Sequence, residues 1–156
     1  MPDKIPDDYK RTVKAAFNVL AYGDNTARML EEKLKNKGFS QESIEFSVNY
    51  MRQRGYINEM RYLRRLVDQL ANQKYYGVNR IAAEIYKKGF ALSLVRDNLG
   101  ELFSEIDFKE NCLKLALKTK RADRNRLFQY LIRAGHTVSD ATYSVMQVYK
   151  DPNQST

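Results

Sequence analysis

Apolar residues recur at helical spacing along most of the chain, and they do so most clearly within residues 75–90. Val78, Ile81 and Ile85 fall on one face of a predicted helix. Gly89 follows where this spacing ends, and a glycine there adopts the left-handed backbone conformation without a side-chain cost. The pattern predicts a short helix that ends at Gly89.

The same construction occurs three times. Gly38, Gly89 and Gly135 each end a helical pattern; phenylalanine follows the first two glycines and His136 follows the third. The glycines are 51 and 46 residues apart, a period that is longer than a helical hairpin and suits three short helices. The sequence therefore predicts one helical module that is repeated three times.

We expect an all-α, elongated and curved tandem of three three-helix modules that are similar to helix-turn-helix repeats. Isolated helices of about a dozen residues are marginally stable, so neighbouring modules should stabilise one another. The predicted division is a flexible arm at 1–8, modules at 9–57, 58–104 and 105–150, and a flexible tail at 151–156.

Several residues mark the expected helix ends. The polar cluster at 23–26 precedes the second helix, and Ser40, Asn58 and Thr137 are suited to N-cap positions. Gly100 is expected to end the third helix of the middle module early. The first helix of the third module is expected to have an apolar face formed by Cys112, Leu113, Ala116 and Leu117.

The chain has a net charge of +8 at pH 7, and all three predicted modules share the excess of cations. Such a surface attracts phosphate backbones or acidic protein surfaces, and charge alone does not choose between them. The strongest local candidate is a connector in the third module, where five cations and only Asp123 fall within nine residues. The connector cations are Lys118, Lys120, Arg121, Arg124 and Arg126.

Further candidates for contacts with a protein or DNA partner are Arg61, Arg64, Arg65, Lys74, Arg80, Lys87 and Lys88. A local role is an alternative for several of them. Lys87 and Lys88 lie in the last turn before Gly89, where a cation interacts favourably with the helix C-terminus. The arginines within residues 61–65 can equally form a solvated helix face.

Loop and turn positions are expected to be structural. Tyr75 and Tyr76 are expected to pack within a loop rather than to stack on a base. The glycines to which we assign a structural role are Gly38, Gly77, Gly89 and Gly135.

Catalytic chemistry has little support in the sequence. Cys112 is the only cysteine and His136 the only histidine, so a His/Cys metal cluster is not available and a structural role is expected for both. A thiol enzyme that uses Cys112, alone or paired with His136, stays open as an alternative. No GxxxxGK[ST] or GxGxxG segment occurs, which argues against a phosphate-cradling loop. We expect neither enzyme activity nor a metal or cofactor.

The cysteine count and the apolar runs bear on the compartment. A single cysteine excludes an intrachain disulfide and is typical of a reducing environment. No apolar run approaches the roughly 18 residues of a membrane span. The polar start MPDKIPDD is unlike a signal peptide. We expect a cytoplasmic protein.

With these segments assembled, the sequence resembles the RecX family of bacterial regulators of the RecA recombinase. The resemblance is carried by LKNKGF at 34–39, GYINEMRY at 55–62, YGVNRI at 76–81 and EIYKKGF at 84–90. It covers residues 9–149. The chain departs from the family pattern at Asn58-Glu59, where an acidic pair is usual, at Val78, where proline is usual, and at Ala82, where a basic residue is usual.

The resemblance implies a non-enzymatic protein, expected to be a monomer, that lodges in the helical groove of the RecA–DNA filament. There it would limit RecA's ATP hydrolysis, strand exchange and co-protease activity, and so act in DNA repair, recombination and the SOS response. The residues themselves leave a second hypothesis open. Three-helix units with basic faces look like helix-turn-helix domains, so a DNA-binding protein that acts alone is the alternative.

Overall fold

The computed structural model of the chain describes residues 4–119 and 123–150. Within these ranges it contains nine α-helices and no β-strand, which confirms the predicted all-α fold. In chain order the helices are α1 Lys10–Ala21, α2 Ala27–Asn36, α3 Gln41–Gln53, α4 Glu59–Asp68, α5 Val78–Lys88, α6 Leu92–Ser104, α7 Phe108–Thr119, α8 Arg124–Arg133 and α9 Val138–Val148.

The described residues fall into two compact units. The first contains the residues up to Leu63 together with Lys87–Val95, and the second contains Arg64–Tyr86 together with the residues from Arg96 onward. Residues of the predicted middle module, 58–104, belong to both units. The division into three modules at the expected boundaries therefore stays a prediction.

The predicted flexible ends lie partly outside the described residues. This is the case for residues 1–3 of the arm and for the tail at 151–156. Closer to the first helix, Asp7–Tyr9 forms a short 3-10 helix and Ile5 packs against the core of the first unit.

Helices α1, α2 and α3 pack on one another and build the core of the first unit. Their apolar residues recur at helical spacing, so each helix buries one face and exposes the other. The buried core consists of Val13, Ala16, Ala27, Leu30, Leu34, Ile44, Val48, Met51 and Ile57.

In the second unit, α7, α8 and α9 pack together. Their core consists of Cys112, Leu115, Ala116, Leu127, Leu131, Ala134 and Ala141. The predicted face of α7 is wrong at one position, because Leu117 is 56% exposed. The buried side chains that follow Cys112 are three and four residues further on, which keeps them on its face, whereas Leu117 lies a further 100° around the helix.

The predicted N-caps are confirmed. The side-chain oxygens of Thr26, Ser40, Asn58 and Thr137 each accept a hydrogen bond from the backbone N–H three residues later, at 3.1, 3.3, 3.0 and 3.1 Å. These bonds satisfy N–H groups that have no partner within their own helix. Local sequence thus sets where these four helices begin.

The repeated glycine ends have left-handed conformations. The φ angles are 89° at Gly38, 73° at Gly89 and 96° at Gly135. The expectation that Gly100 ends α6 early is wrong, because the helix continues to Ser104. Residues beyond Gly100 keep the apolar spacing, and a glycine inside a helix costs only about 1 kcal/mol relative to alanine.

A widened turn follows α4 and was not predicted. Gln69–Gln73 forms a π-helical turn, which the Lys74 N–H closes by donating to the Gln69 carbonyl oxygen at 3.1 Å. Asn111 of α7, which is buried, donates from Nδ2 to the Ala71 carbonyl oxygen at 3.0 Å. A π-helical turn interrupts the regular ladder, and this side chain supplies a hydrogen bond to one of its carbonyl groups.

Candidate functional site

Helix α4 carries predicted binding cations on an exposed face. In the first unit, the Arg61 guanidinium lies 3.5 Å from the Asp24 carboxylate. In the second unit, Arg64 and Arg65 are exposed. Leu63 and the apolar residues after it are buried, so the amphipathic pattern of α4 orients the arginines toward solvent.

In the second unit, Lys74 and Arg80 meet at one aromatic ring. The Lys74 ammonium lies 5.9 Å, and the Arg80 guanidinium 4.2 Å, from the centre of the Tyr76 ring. Both cations are exposed and Tyr76 is partly exposed. We call these three residues the Tyr76 cluster. Its cation–π contacts hold two positive charges together at the surface.

The backbone beside the Tyr76 cluster is hydrogen-bonded to the end of α8. The Gly77 N–H donates to the Ala134 carbonyl oxygen at 2.9 Å, and the Asn79 N–H donates to the Gly135 carbonyl oxygen at 3.1 Å. N–H groups at the start of α5 thereby pair with carbonyl groups at the end of α8, an arrangement that the two helix dipoles favour.

The buried His136 side chain is also hydrogen-bonded to this segment. Its ring is 2% exposed, and Nε2 lies 2.7 Å from the Tyr75 carbonyl oxygen. Burial lowers the pKa of His136, against the opposing effects of this hydrogen bond and of Asp140. The ring is therefore neutral at pH 7, and Nε2 carries the proton because a carbonyl oxygen only accepts. This geometry supports the structural interpretation of His136.

An equivalent contact, between the end of one helix and the residue before another, occurs in the first unit at the end of α5. The Thr26 hydroxyl donates to the Lys88 carbonyl oxygen at 2.6 Å. The acceptors are equivalent, because Lys88 and Ala134 each come directly before the glycine that ends their helix. The donors are equivalent too, because Thr26 and Gly77 each come directly before the start of a helix. The Lys87 side chain is exposed and that of Lys88 is partly exposed, so both lysines stay candidates for contacts with a partner.

The connector is only partly described. Lys120 and Arg121 lie outside the described residues, and Lys118 is exposed near the end of α7. Arg124 and Arg126 occupy the first turn of α8 and are also exposed.

The two connector arginines of α8, Arg124 and Arg126, both have intramolecular contacts. The Arg124 guanidinium donates to the Tyr149 carbonyl oxygen at 3.3 Å, and the Arg126 guanidinium lies 3.5 Å from the Asp123 carboxylate. The first turn of a helix favours anions, yet α8 has no acidic residue there. The helix dipole therefore does not account for these cations, which keeps them candidates for a partner contact.

Cys112 lies in the core of the second unit. It is fully buried, and burial raises the pKa of its thiol to about 11, although the neighbouring Ser144 hydroxyl acts in the opposite direction. The thiolate, which is the nucleophilic form, is therefore scarce at neutral pH. Among residues 4–119 and 123–150, no three His, Cys, Asp or Glu side chains lie in a group that could hold a metal ion.

Two further observations bear on this part of the prediction. No helix in the described part of the chain is both long enough and apolar enough to cross a membrane. The Tyr76 cluster was not predicted as a unit, since its members were separate candidates or expected loop residues. The sequence feature that could have indicated this cluster is the closeness of Lys74, Tyr76 and Arg80 on either side of Gly77.

Comparisons with known proteins point to one family, although no protein-family model matches the chain. It is 28% identical over 131 residues to regulatory protein RecX of Clostridioides difficile (strain 630), a match that covers 80% of this chain and 61% of the relative. A match to regulatory protein RecX of Chlorobium phaeobacteroides (strain BS1) is 21% identical and covers 92% of this chain and 97% of the relative. The chain thus spans about three fifths of the clostridial relatives that it matches.

A solved structure has the same fold. The crystal structure of RecX from Lactobacillus salivarius matches with a TM-score of 0.71 at 22% identity, covering 92% of this chain and 98% of that one. At this identity the likeness establishes the fold, which is all-α in both.

Proposed function

Because this chain belongs to the RecX family of regulatory proteins, we propose that it binds the RecA–DNA filament in the cytoplasm and inhibits the ATPase, strand-exchange and co-protease activities of RecA. The observation that carries the proposal is the match to RecX proteins over most of the chain, in sequence and in fold. The chain acts by binding rather than by catalysis.

The exposed cations supply the proposed contacts. Each unit has its own set, with Arg61 and Lys87 in the first unit and the Tyr76 cluster and the described connector cations in the second. Phosphates of the filament's DNA or acidic RecA surface would attract them. Several weak contacts made by one chain add through effective concentration, so no single contact has to be strong.

The test is a titration of RecA's ATPase on single-stranded DNA. We expect inhibition at substoichiometric amounts of the chain. Replacing Lys74 and Arg80 together with glutamine should weaken inhibition several-fold. Arg96→Gln is the matched control, since Arg96 is exposed, contacts its neighbour Asp97 and is not among the predicted binding residues. An ATPase that the chain leaves unchanged at stoichiometric amounts would refute the proposal.

A truncation near Leu102 is a second test of whether the third module is needed, and weaker inhibition is expected from it. Removing α7 to α9 also removes Asn111 and Gly135, which hold residues 71–79 in place. The folding of the shortened chain must therefore be measured beside its activity. Full potency would show that the third module is dispensable.

The alternative is a DNA-binding protein that acts without RecA, and the cations in the first turn of α8 favour it. Duplex binding should then weaken steeply with salt, by a slope of about −0.9 for each phosphate that is neutralised. Replacing Lys118, Arg124 and Arg126 with glutamine should flatten that slope by roughly 2 to 3. A slope that stays the same would exclude these cations as the DNA contact.

A further inference from the structure

Five aromatic side chains of the first unit form a continuous row. Consecutive ring centres are 4.7 Å apart from Tyr9 to Phe46, 6.3 Å from Phe46 to Tyr50, 6.4 Å from Tyr50 to Phe17, and 5.1 Å from Phe17 to Tyr56. We call these residues the aromatic row. Residues far apart in sequence thus meet on one surface formed by α1, α3 and the turn after α3.

One end of the aromatic row is open to solvent. Tyr56 is 49% exposed and Phe17 is 36% exposed, and Tyr50 is partly exposed. Phe46 and Tyr50 pack against the aliphatic core of this unit, whereas Phe17 and Tyr56 do not belong to that core cluster. Exposed rings that touch one another form an apolar patch, and such patches mark interaction sites more often than scattered apolar residues do.

The two segments that carry the aromatic row are basic. Residues 9–22 and 46–57, which contain the whole row, include no aspartate or glutamate. The Arg54 guanidinium lies 4.5 Å from the centre of the Tyr50 ring. The cations of these two segments are Lys10, Arg11, Lys14, Arg52 and Arg54.

Carboxylates lie at the opposite end of the row. There Glu42 accepts a hydrogen bond from the Tyr9 hydroxyl at 2.5 Å, and Asp7 pairs with Lys10 at 2.6 Å. The surface at Phe17, Tyr50 and Tyr56 is therefore the part of the row that best suits a negatively charged ligand.

We infer that Phe17, Tyr50 and Tyr56 form a stacking surface for the bases of single-stranded nucleic acid, with Arg54, whose guanidinium lies over the Tyr50 ring, beside it for the phosphates. Adjacent aromatic rings together with arginines are the combination that binds single strands without regard to sequence. A duplex does not fit in the same way, because its bases are stacked on each other. A protein partner would be held by the same rings, but the charges at this end favour phosphates.

The inference extends the proposed function, in which the chain meets DNA in a filament, and it identifies a surface outside the predicted binding residues. The experiment therefore omits RecA, so that its failure and the failure of the proposed function are separate results. The chain contains no tryptophan, so its fluorescence comes from its eleven tyrosines, three of which belong to the aromatic row.

The test measures binding of the full chain to labelled oligo(dT), to oligo(U) and to an abasic oligonucleotide of equal length. We expect oligo(dT) or oligo(U) to bind more tightly than the abasic strand and to quench tyrosine fluorescence. The relative affinities of the DNA and RNA strands tell which of the two the surface prefers. Tyr56→Leu should weaken binding roughly 5- to 150-fold. Tyr56→Phe should retain it.

The matched control is Tyr86→Leu, because Tyr86 is a 77% exposed tyrosine of α5 outside the aromatic row. This variant should bind as the unmodified chain does. Circular dichroism and urea unfolding of each variant verify that it is folded. Equal affinity for abasic and base-containing strands would overturn the inference, as would unchanged binding by folded Tyr56→Leu. Loss of RecA inhibition by Tyr56→Leu with strand binding unchanged would assign the row to a protein contact and overturn it too.

Discussion

The Gly77 N–H donates a hydrogen bond of 2.9 Å to the carbonyl oxygen of Ala134, so two backbones touch where most helices are separated by side chains. A Cβ atom at Gly77 would lie 2.4 Å from the carbonyl carbon of Gly135. The neighbouring atoms are backbone and cannot rotate away. The start of α5 and the end of α8 can therefore meet only if residue 77 has no side chain.

Gly77→Ala should destabilise the protein by about 1–3 kcal/mol, the cost of forcing extra volume into a close-packed contact. Urea unfolding followed by circular dichroism measures this change. Gly100→Ala is the matched control, because a Cβ there meets nothing within 4 Å and Gly100 lies inside α6. It should stabilise the protein by roughly 0.5–1 kcal/mol. Equal effects of the two variants would contradict the proposed close contact.

Thr26→Ala should cost about 2–3 kcal/mol, since it removes two hydrogen bonds at a fully buried site. One bond caps α2 through the Met29 N–H, and the other reaches the Lys88 carbonyl oxygen. Ser40→Ala removes a cap at an exposed position and should cost only about 1 kcal/mol. Thermal or urea unfolding compares the two, and Thr26→Ser should recover most of the loss. A Thr26→Ala cost no larger than that of Ser40→Ala would show that the bond to Lys88 contributes little.

Stability should fall as the pH is lowered from 7.5 to 5.5, in part because of His136. Burial lowers the pKa of this ring in the folded chain, so the unfolded chain binds the proton more readily below its ordinary pKa of 6.5. The stabilising contribution is complete above that pH and is lost as the pH falls toward the folded-state value. Urea midpoints at several pH values measure the loss.

His136→Phe is the control for this pH dependence, because phenylalanine follows the terminal glycine at the two equivalent positions, Phe39 and Phe90. The variant also removes Nδ1, a buried atom that has no hydrogen-bond partner among the residues the structure describes. Its stability should change less with pH over the same interval. If both proteins respond alike, other groups cause the effect.

Cys112 should resist alkylation by iodoacetamide in the folded protein and react rapidly after unfolding. Burial raises the pKa of its thiol to about 11, so at pH 8 the reactive thiolate is rare. The folded state holds this proton more tightly than the unfolded state, and stability should therefore fall as the pH rises from about 9 toward 11. Cys112→Ala should show a smaller fall. Rapid labelling of folded protein at pH 8 would contradict the assignment and would revive the thiol-enzyme alternative.

Features that depend on a few neighbouring residues could be predicted from the sequence. Caps such as Thr26 and Thr137 need only a side-chain oxygen and the N–H three residues later. Gly38 and Gly135 end helices because the left-handed conformation is a local property. Which side of a helix is buried is harder to predict where leucines are frequent. This explains why Leu117 was expected on the buried face of α7, whereas Leu115 is buried and Leu117 is exposed.

The proposed binding surfaces depend on contacts that the sequence does not encode locally. Charge density identified the cations, but the pairing of Arg61 with Asp24 joins residues on different elements. The aromatic row likewise combines Phe17 of α1 with Tyr56 beyond α3. Such contacts follow from packing and could be seen only in three dimensions.

The π-helical turn at Gln69–Gln73 determines how long this part of the chain must be. Deleting one residue from it would restore regular α-helical hydrogen bonding, because a π-helical turn holds one residue more than an α-helical turn does. The Ala71 carbonyl oxygen and the Asn72 side chain, which both accept hydrogen bonds from the buried Asn111 amide, would be displaced. A one-residue deletion here is therefore predicted to destabilise the second unit by leaving a buried amide without its acceptors, although it removes no residue of the Tyr76 cluster.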